Sequence, residues 1–431
     1  MGRTLLTLIV LAGCAPAQAR YDVLLQGGHV VDAKYNLSAV RDVAIKDGRI
    51  AAVAAHIAAT EASKTIDVRG LYVTPGLVDI HVHAYGGTGM RDAYSGDHSV
   101  YPDGFTFRSG VTTVVDAGSS GWRNFDDFKD RIIDRSKTRV LALLNIVGHG
   151  MGGGAIEQNL EDMDAKATAD AAVKYKTIVV GVKTAHYDGP EWTPVERAVA
   201  AGTLAGIPVM VDFGTFRPER PFQDLVLKKL RPGDIYTHTY LDAVPMLDAH
   251  GKVQPYLFEA RKRGVIFDVG HGGGSFLFRQ AVPAIRQGFV PDSISTDLHI
   301  DSMNSGMKDM LNVMSKFLNM GLPLDDVIAR STWNPAKEIH REDLGNLSVG
   351  APADIAVLRL QKGQFGFVDV FGARLQGTMK LVCEVTVRNG LVVYDLNGIS
   401  RADWTHLGAY GPQGEAKWDG TINPGLRAPK K

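Results

Sequence analysis

Two histidines stand at the end of an apolar run near the start of the chain. Positions 73, 77, 78, 80 and 82 are apolar, and His81 and His83 close the run. This pattern is typical of a strand covered on both faces, and residues two apart on a strand point to the same side. Two imidazoles on one side can share a cation. Because the His-x-His pattern also arises by chance, it indicates a metal site only if other metal-binding residues stand at the ends of the other strands.

From about Thr74 to Leu344, apolar segments alternate with helical patterns. With the opening segment, the predicted strands number eight: 111–117, 139–147, 177–184, 207–213, 234–239, 264–270 and 292–297 complete the set. Eight alternations predict a (β/α)8 TIM barrel, an α/β fold. In such a barrel the chemistry lies at the carboxyl ends of the strands.

Residues able to bind metal or move protons stand at these strand ends. They are His81 and His83, Lys183, Asp212, His238, Asp268 and His271, and Asp297. A single histidine at such a place is usually a hydrogen-bonded structural residue, and a single aspartate is usually a helix cap. Together they form a ring of nitrogen and oxygen ligands on the face where a ligand is expected, which indicates a metal site.

Lys183 ends an apolar strand, where an unpaired ammonium is costly and the pKa of the amine is pushed down. A neutral amine can react with carbon dioxide, and the two oxygens of the resulting carbamate can bridge two cations. Alternatively, Lys183 extends to solvent or pairs with a carboxylate. Spacing alone leaves both interpretations open.

Short alternating strands with glycine turns flank the barrel on both sides, at residues 20–73 and 345–400. Asn389-Gly390 is a strong hairpin turn. We expect the two flanks to form one small β-sandwich built from both ends of the chain. The tail, 401–431, has weak periodicity.

The chain begins with an export-type segment, residues 1–19. Arg3 precedes an apolar run, and Ala17 and Ala19 offer a cleavage site. The run also ends in a sequence that resembles a lipoprotein box at Cys14, whose acylation would anchor the protein. Both readings predict export, to the periplasm or to a lipid anchor in the bacterial envelope. The balanced charge, 47 basic against 47 acidic residues, argues against a nucleic-acid partner.

The motifs as a set resemble those of the amidohydrolase superfamily, most closely the dihydroorotase-like amidohydrolase/deacetylase branch. They are 75–83, Lys183, 236–238, 268–276, 295–299 and 332–337. The resemblance implies two divalent cations, usually zinc, bridged by a carboxylated Lys183. It also implies that His81, His83, Lys183 and Asp297 hold the first cation, while Lys183 and His238 hold the second.

Asp212 departs from the family pattern, which usually has histidine at the end of strand five. We expect Asp212 to bind the second cation through oxygen, and a harder ligand favours manganese or iron more than a histidine does. The alternative places Asp212 behind the ligands and leaves the second cation weak or absent.

The resemblance implies a metal-dependent hydrolase of amide or ester bonds that acts on a small acylated molecule, as a deacetylase or N-acyl amino acid amidohydrolase. On this interpretation a divalent cation would activate water for attack on the carbonyl, and Asp297 would take the proton of that water and deliver it to the leaving group. His271 is the candidate substrate contact or oxyanion donor, unless it belongs to a structural glycine turn. The alternatives are a cyclic amidohydrolase and a non-catalytic, exported metal-binding protein. Barrels with an accessory sandwich often associate, so a homo-oligomer is also expected.

Overall fold

The structure is a computed structural model, and it describes residues 19–406. The predicted export segment up to residue 18, with Cys14, and the tail beyond residue 406 lie outside the described residues. Within 19–406, no helix combines the length and the apolar character that crossing a membrane requires.

The described chain forms fifteen strands and ten α-helices. The strands are β1 (Tyr21–Asp32), β2 (Leu37–Lys46), β3 (Arg49–Ala54), β4 (Ala62–Asp67), β5 (Tyr72–Pro75), β6 (Leu77–Val82), β7 (Val111–Gly121), β8 (Arg139–Asn145), β9 (Val179–Thr184), β10 (Val209–Val211), β11 (Ile235–Tyr236), β12 (Ile266–Phe267), β13 (Ile355–Val368), β14 (Arg374–Arg388) and β15 (Leu391–Asp395). The helices are α1 (Phe125–Phe128), α2 (Ala165–Lys174), α3 (Thr193–Ala205), α4 (Phe222–Asp224), α5 (Pro255–Lys262), α6 (Phe278–Arg286), α7 (Ile300–Asn304), α8 (Met310–Asn319), α9 (Leu324–Ala329) and α10 (Trp333–Glu338).

Both ends of the chain build one mixed sheet of eight strands. Its order is β15-β14-β13-β5-β1-β2-β3, with β4 also paired to β1. The two ends meet where β5 pairs antiparallel with β13, from Tyr72 opposite Leu358 to Pro75 opposite Ile355. Apolar side chains from both flanks share one buried cluster, including Val43, Val73, Ile355 and Val385. The prediction of a β unit built from both ends is confirmed.

The second sheet is parallel and runs in chain order from β6 to β12. Neighbouring residues of its strands enter different apolar clusters: Val114 and Leu144 belong to one, and Val115 and Leu143 belong to the other. Its strands are therefore covered on both faces, by helices outside and by packed side chains inside, as expected for a barrel.

The eighth predicted strand, 292–297, closes the barrel without forming a regular strand. It meets β12 through a parallel bridge between Asp268 and Ser293, and it meets β6 through another between Val82 and Leu298. Side chains replace part of the ladder, since the main-chain N–H of Thr296 donates to Asp79 Oδ1. The α/β barrel prediction holds, with an irregular eighth segment.

Candidate metal centre and active site

The carboxyl ends of β6 and of the eighth segment bring three metal-ligand atoms together. His81 lies in β6, His83 follows it, and Asp297 lies in the eighth segment. Asp297 Oδ1 is 3.6 Å from His81 Nε2 and 3.1 Å from His83 Nε2. Ligand atoms of all three residues lie within 4.8 Å of one another. Bonds of about 2.0–2.1 Å at tetrahedral angles place ligand atoms roughly 3.4 Å apart, so the spacing suits a small divalent cation.

In both histidines Nδ1 makes a hydrogen bond on the side away from the candidate metal site, so that Nε2 points towards the site. His81 Nδ1 is hydrogen-bonded to Thr237 Oγ1 at 2.9 Å, and His83 Nδ1 to Ser119 Oγ at 3.0 Å. Thr237 in turn donates to Asp268 Oδ2. Outer hydrogen bonds of this kind fix the ring and its tautomer in metal sites. Asp268, predicted only as a strand-end residue, thus supports a ligand through Thr237.

Asp297 carries the observation that fits a cation best. Its Oδ1 is buried and has no hydrogen-bond partner among the described residues. Burial raises the pKa of the carboxyl group, but the neighbouring His299 and His81 outweigh burial and hold the pKa well below its usual range. An ionised, buried carboxylate oxygen aimed at two imidazoles is the donor set that a divalent cation requires.

Lys183 lies at the end of β9 and is fully buried. The hydrogen-bond partners of its Nζ within residues 19–406 are His81 Nε2 at 3.3 Å and Met210 Sδ at 3.8 Å. Burial lowers the pKa of the amine, although several surrounding carboxylates oppose the shift. Burial therefore favours the neutral amine over the ammonium form.

His238 and Asp212 stand beside this group. His238 Nε2 is 3.4 Å from Asp212 Oδ2, and the His81 and His238 rings are 5.0 Å apart. His238 Nδ1 donates to the Gly270 carbonyl at 2.6 Å. A side chain at Gly270 would collide with Thr237 Oγ1 and with the His238 ring, and the φ of Gly270 is +46°, so glycine is required here. The six predicted metal ligands are therefore brought to one place.

Two further residues complete the polar network. His186 Nδ1 donates to Glu157 Oε2 at 2.7 Å, and His186 Nε2 lies 3.2 Å from Asp212 Oδ2. Burial lowers the pKa of His186, but the two carboxylates outweigh it and raise the pKa to about 10. Spacing along the sequence contains no signal for Glu157, which lies in an irregular segment after β8.

His271 does not reach the pocket that the other residues form. Its side chain is fully buried; Nδ1 donates to the Gly272 carbonyl, and Nε2 accepts from Lys316 Nζ at 2.7 Å. Its ring stacks on Phe276 at 4.5 Å. The predicted substrate contact is thus corrected: His271 supports the glycine loop from behind, and Gly273 to Ser275 face the pocket instead. The partner Lys316 comes from α8, which sequence spacing does not connect to this loop.

The ligand cluster forms the floor of a cavity of about 430 Å³, a size suited to a small molecule. Besides the ligands, its lining includes Tyr94, Met151, Asp188, Thr215, Leu241 and the glycine loop. The described lining contains no arginine. Tyr94 stacks on His186 at 5.3 Å and packs against His83 at 4.5 Å, which joins the two halves of the floor.

The sequence matches the profile described as "Amidohydrolase family" over residues 278–395. A deacetylase of Agrobacterium fabrum is 35% identical over 333 residues, which cover 73% of this chain and 77% of that protein. A deacetylase of Enterococcus faecalis is 33% identical over 362 residues, or 82% of this chain and 93% of that protein. The chain belongs to the amidohydrolase family.

Solved structures agree with this assignment. This amidohydrolase superposes on a crystal structure of an adenine deaminase with a TM-score of 0.80 and a sequence identity of 30%. The superposition covers 87% of this chain and all of the other. A dihydroorotase structure gives a TM-score of 0.74, also at 30% identity, covering 86% of this chain and 99% of the other. The protein is therefore a metal-dependent hydrolase of amide bonds, and His81, His83 and Asp297 offer a site for the divalent metal.

Proposed function

We propose that this amidohydrolase is a zinc-dependent deacetylase that removes the acyl group from a small N-acylated molecule, such as an N-acyl amino acid. The observation that carries the proposal is the ligand cluster at the floor of a cavity of about 430 Å³. Support comes from the two relatives named deacetylase, which align over most of the chain.

Two cations bridged by a carboxylated Lys183 are part of the proposal. The buried amine of Lys183 lies beside His81, where a carbamate would place two oxygens among the other ligands. His81, His83 and Asp297 would hold the first cation with Lys183. His238 and Asp212 would hold the second with Lys183. Zinc is the expected ion, and the oxygen ligand Asp212 makes manganese or iron the alternative.

When bound, such cations supply Lewis acidity and lower the pKa of a bound water to about 7. Asp297 is the residue placed to handle the proton. Its carboxylate is ionised and lies in the cavity lining, so while one oxygen would serve the cation the carboxylate can accept a proton through the other. The proton comes from the water whose oxygen bonds to the carbonyl carbon. Asp297 would pass this proton to the nitrogen as the C–N bond breaks, so that the products are a carboxylic acid and a free amine. The apolar atoms of Met151 and Leu241 limit the water that reaches the reacting groups.

Cyclic amides are the second candidate substrate class, since a dihydroorotase shares the fold at 30% identity. A panel of N-acetyl amino acids, O-acyl hydroxy acids and cyclic ureides separates the candidates. We expect hydrolysis of the N-acetyl amino acids, measured as free amine released, and its loss after treatment with a chelator. Restoring zinc should restore the activity.

The exposed variant His250→Ala, which changes a histidine outside the cavity lining, serves as the control and should behave as wild type. Turnover of cyclic ureides alone would replace the deacetylase proposal with the cyclic one. A metal-loaded protein that hydrolyses none of the panel would contradict both and favour a binding protein.

We also propose that the protein is exported. The basis is the sequence of residues 1–19, with a charged start, an apolar run, small residues and Cys14. Expressed in a bacterial host, the protein should fractionate outside the cytoplasm. If Cys14 carries a lipid, Cys14→Ala should move the protein from the membrane fraction to the soluble fraction. Recovery of the full-length wild type in the cytoplasm would contradict export.

A further inference from the structure

Three polar side chains, those of Glu157, His186 and Asp212, contact one another in sequence and end at the proposed second cation site. Glu157 Oε2 accepts from His186 Nδ1 at 2.7 Å, and His186 Nε2 lies 3.2 Å from Asp212 Oδ2. The same Oδ2 is 3.4 Å from His238 Nε2. One oxygen of Asp212 therefore lies between two imidazoles, one from the loop after β9 and one from the end of β11.

His186 is held in the same way as the metal-binding histidines. His81, His83 and His238 each use Nδ1 for an outer hydrogen bond and turn Nε2 to the centre. His186 does the same, with the buried carboxylate of Glu157 as its anchor. Glu157 is itself fixed, since its Oε1 accepts from the main-chain N–H of Gly153 at 2.9 Å.

The backbone also singles out His186. Its φ is +57°, in the left-handed region, and the site residues His238 and Asp297 share this conformation with φ of +63° and +50°. Left-handed backbone is strained for a residue with a side chain, and such strain is concentrated at functional sites. The Tyr94 ring stacks on the His186 ring, with the two centroids 5.3 Å apart, and so restrains the orientation of His186 further.

The distances distinguish two possible roles for His186. Ligand atoms of His81, His83 and Asp297 all lie within 4.8 Å of one another, whereas His186, Asp212 and His238 do not form such a group. One cation at ordinary bond lengths therefore reaches Asp212 and His238, whose 3.4 Å separation suits neighbouring ligands, but does not reach His186 as well.

We propose that His186, anchored by Glu157, is the positioning residue that makes Asp212 an effective ligand of the second cation. This inference rests on the two-cation centre proposed above. A carboxylate can rotate and present either oxygen. Here the N–H of Gly214 donates to Oδ1 at 3.2 Å, and His186 fixes Oδ2, so that the carboxylate is held against His238. Removing such outer support typically weakens metal binding 10–100-fold.

Zinc binding itself provides the test, without recourse to activity. The measurements are zinc per chain by elemental analysis and the affinity of each site by competition with a chromophoric chelator. We expect wild type to bind two zinc ions. His186→Ala should retain the first at wild-type affinity and bind the second about 10–100-fold more weakly. Glu157→Gln should weaken the second ion less, because the amide oxygen still accepts from Nδ1.

A conservative variant and a control separate positioning from a general structural effect. His186→Gln, whose amide can still donate to Asp212, should recover most of the second-site affinity. His250→Ala, at an exposed position, should match wild type in both sites. Thermal midpoints of the metal-free proteins should agree within about 2 °C, since the sheet core is unchanged.

The inference is overturned if His186→Ala binds both ions as tightly as wild type, or if it loses both together with a fall in the metal-free thermal midpoint. A wild type that holds a single zinc ion in excess metal also overturns it, while leaving hydrolysis by one cation intact. Conversely, two bound ions with no turnover of any acylated substrate would contradict the proposed function and not this inference.

Discussion

Replacing Lys183 by alanine is expected to lower the rate of amide hydrolysis on the order of 10³-fold or more, and to reduce the zinc bound per chain. The reason is that carboxylated Lys183 would bridge both cations, and the loss of several kcal/mol of charge stabilisation corresponds to such a factor. Steady-state kinetics and elemental analysis measure the two effects. The cavity left by the side chain lies beside His81 and Met210, at the floor of the site.

Short-chain carboxylic acids added to Lys183→Ala should restore part of the activity and of the zinc content, because a carboxylate can occupy the place of the carbamate. Lys183→Met is the matched control. Its side chain fills the same space without a carboxylate, so added acid should not rescue it. Equal zinc content and activity in Lys183→Ala and wild type would contradict the bridging role. Rescue of both variants to the same degree would show that the acid acts elsewhere.

The second large effect is expected for Asp297→Asn. The amide keeps the size of the side chain and a ligand oxygen, but it cannot take up a proton. We therefore expect kcat to fall about 10²–10⁴-fold, the range for loss of a general acid or base. Zinc content should fall much less than kcat. Measuring kcat and zinc content on the same preparation separates the loss of proton transfer from the loss of metal.

Asp301→Asn is the control for Asp297→Asn, because Asp301 is an exposed aspartate in the following helix, α7. Its kinetics should equal those of wild type. A kcat for Asp297→Asn within about threefold of wild type, with zinc bound, would remove Asp297 from proton transfer. Loss of zinc in proportion to kcat would assign Asp297 a ligand role alone.

The sequence predicts that the candidate ligands lie together because a barrel places its strand ends at one rim. His81, Lys183 and Asp297 follow from strand order without knowledge of any contact, since each ends or follows a recognisable apolar segment. The same logic predicted the irregular eighth segment as a strand. Its side-chain hydrogen bonds to Asp79, which interrupt the ladder, depend on a residue distant in the chain.

The contacts that the sequence does not predict are made by side chains from loops, where no periodic pattern indicates the structure. Glu157 lies in a loop, and its pairing with His186 requires the loop after β8 to fold back to the loop after β9. His271 follows a strand like a ligand, but Lys316 from α8 occupies its Nε2. Spacing identifies which residues end a strand, whereas only packing decides which way their side chains turn.

The pairing of β5 with β13 has a consequence for the order of assembly. β5 leads within two residues into β6, the strand that carries His81, and β13 is made after the whole barrel. During synthesis His81 and His83 are therefore made long before β13, the strand that pairs with β5. Asp297 is also made late, more than 200 residues after His83. The complete set of predicted ligands is available only after Asp297 has been made. If the protein is exported, as proposed above, it would take up its metal in the compartment where it folds, and the metal supply of that compartment would select the ion.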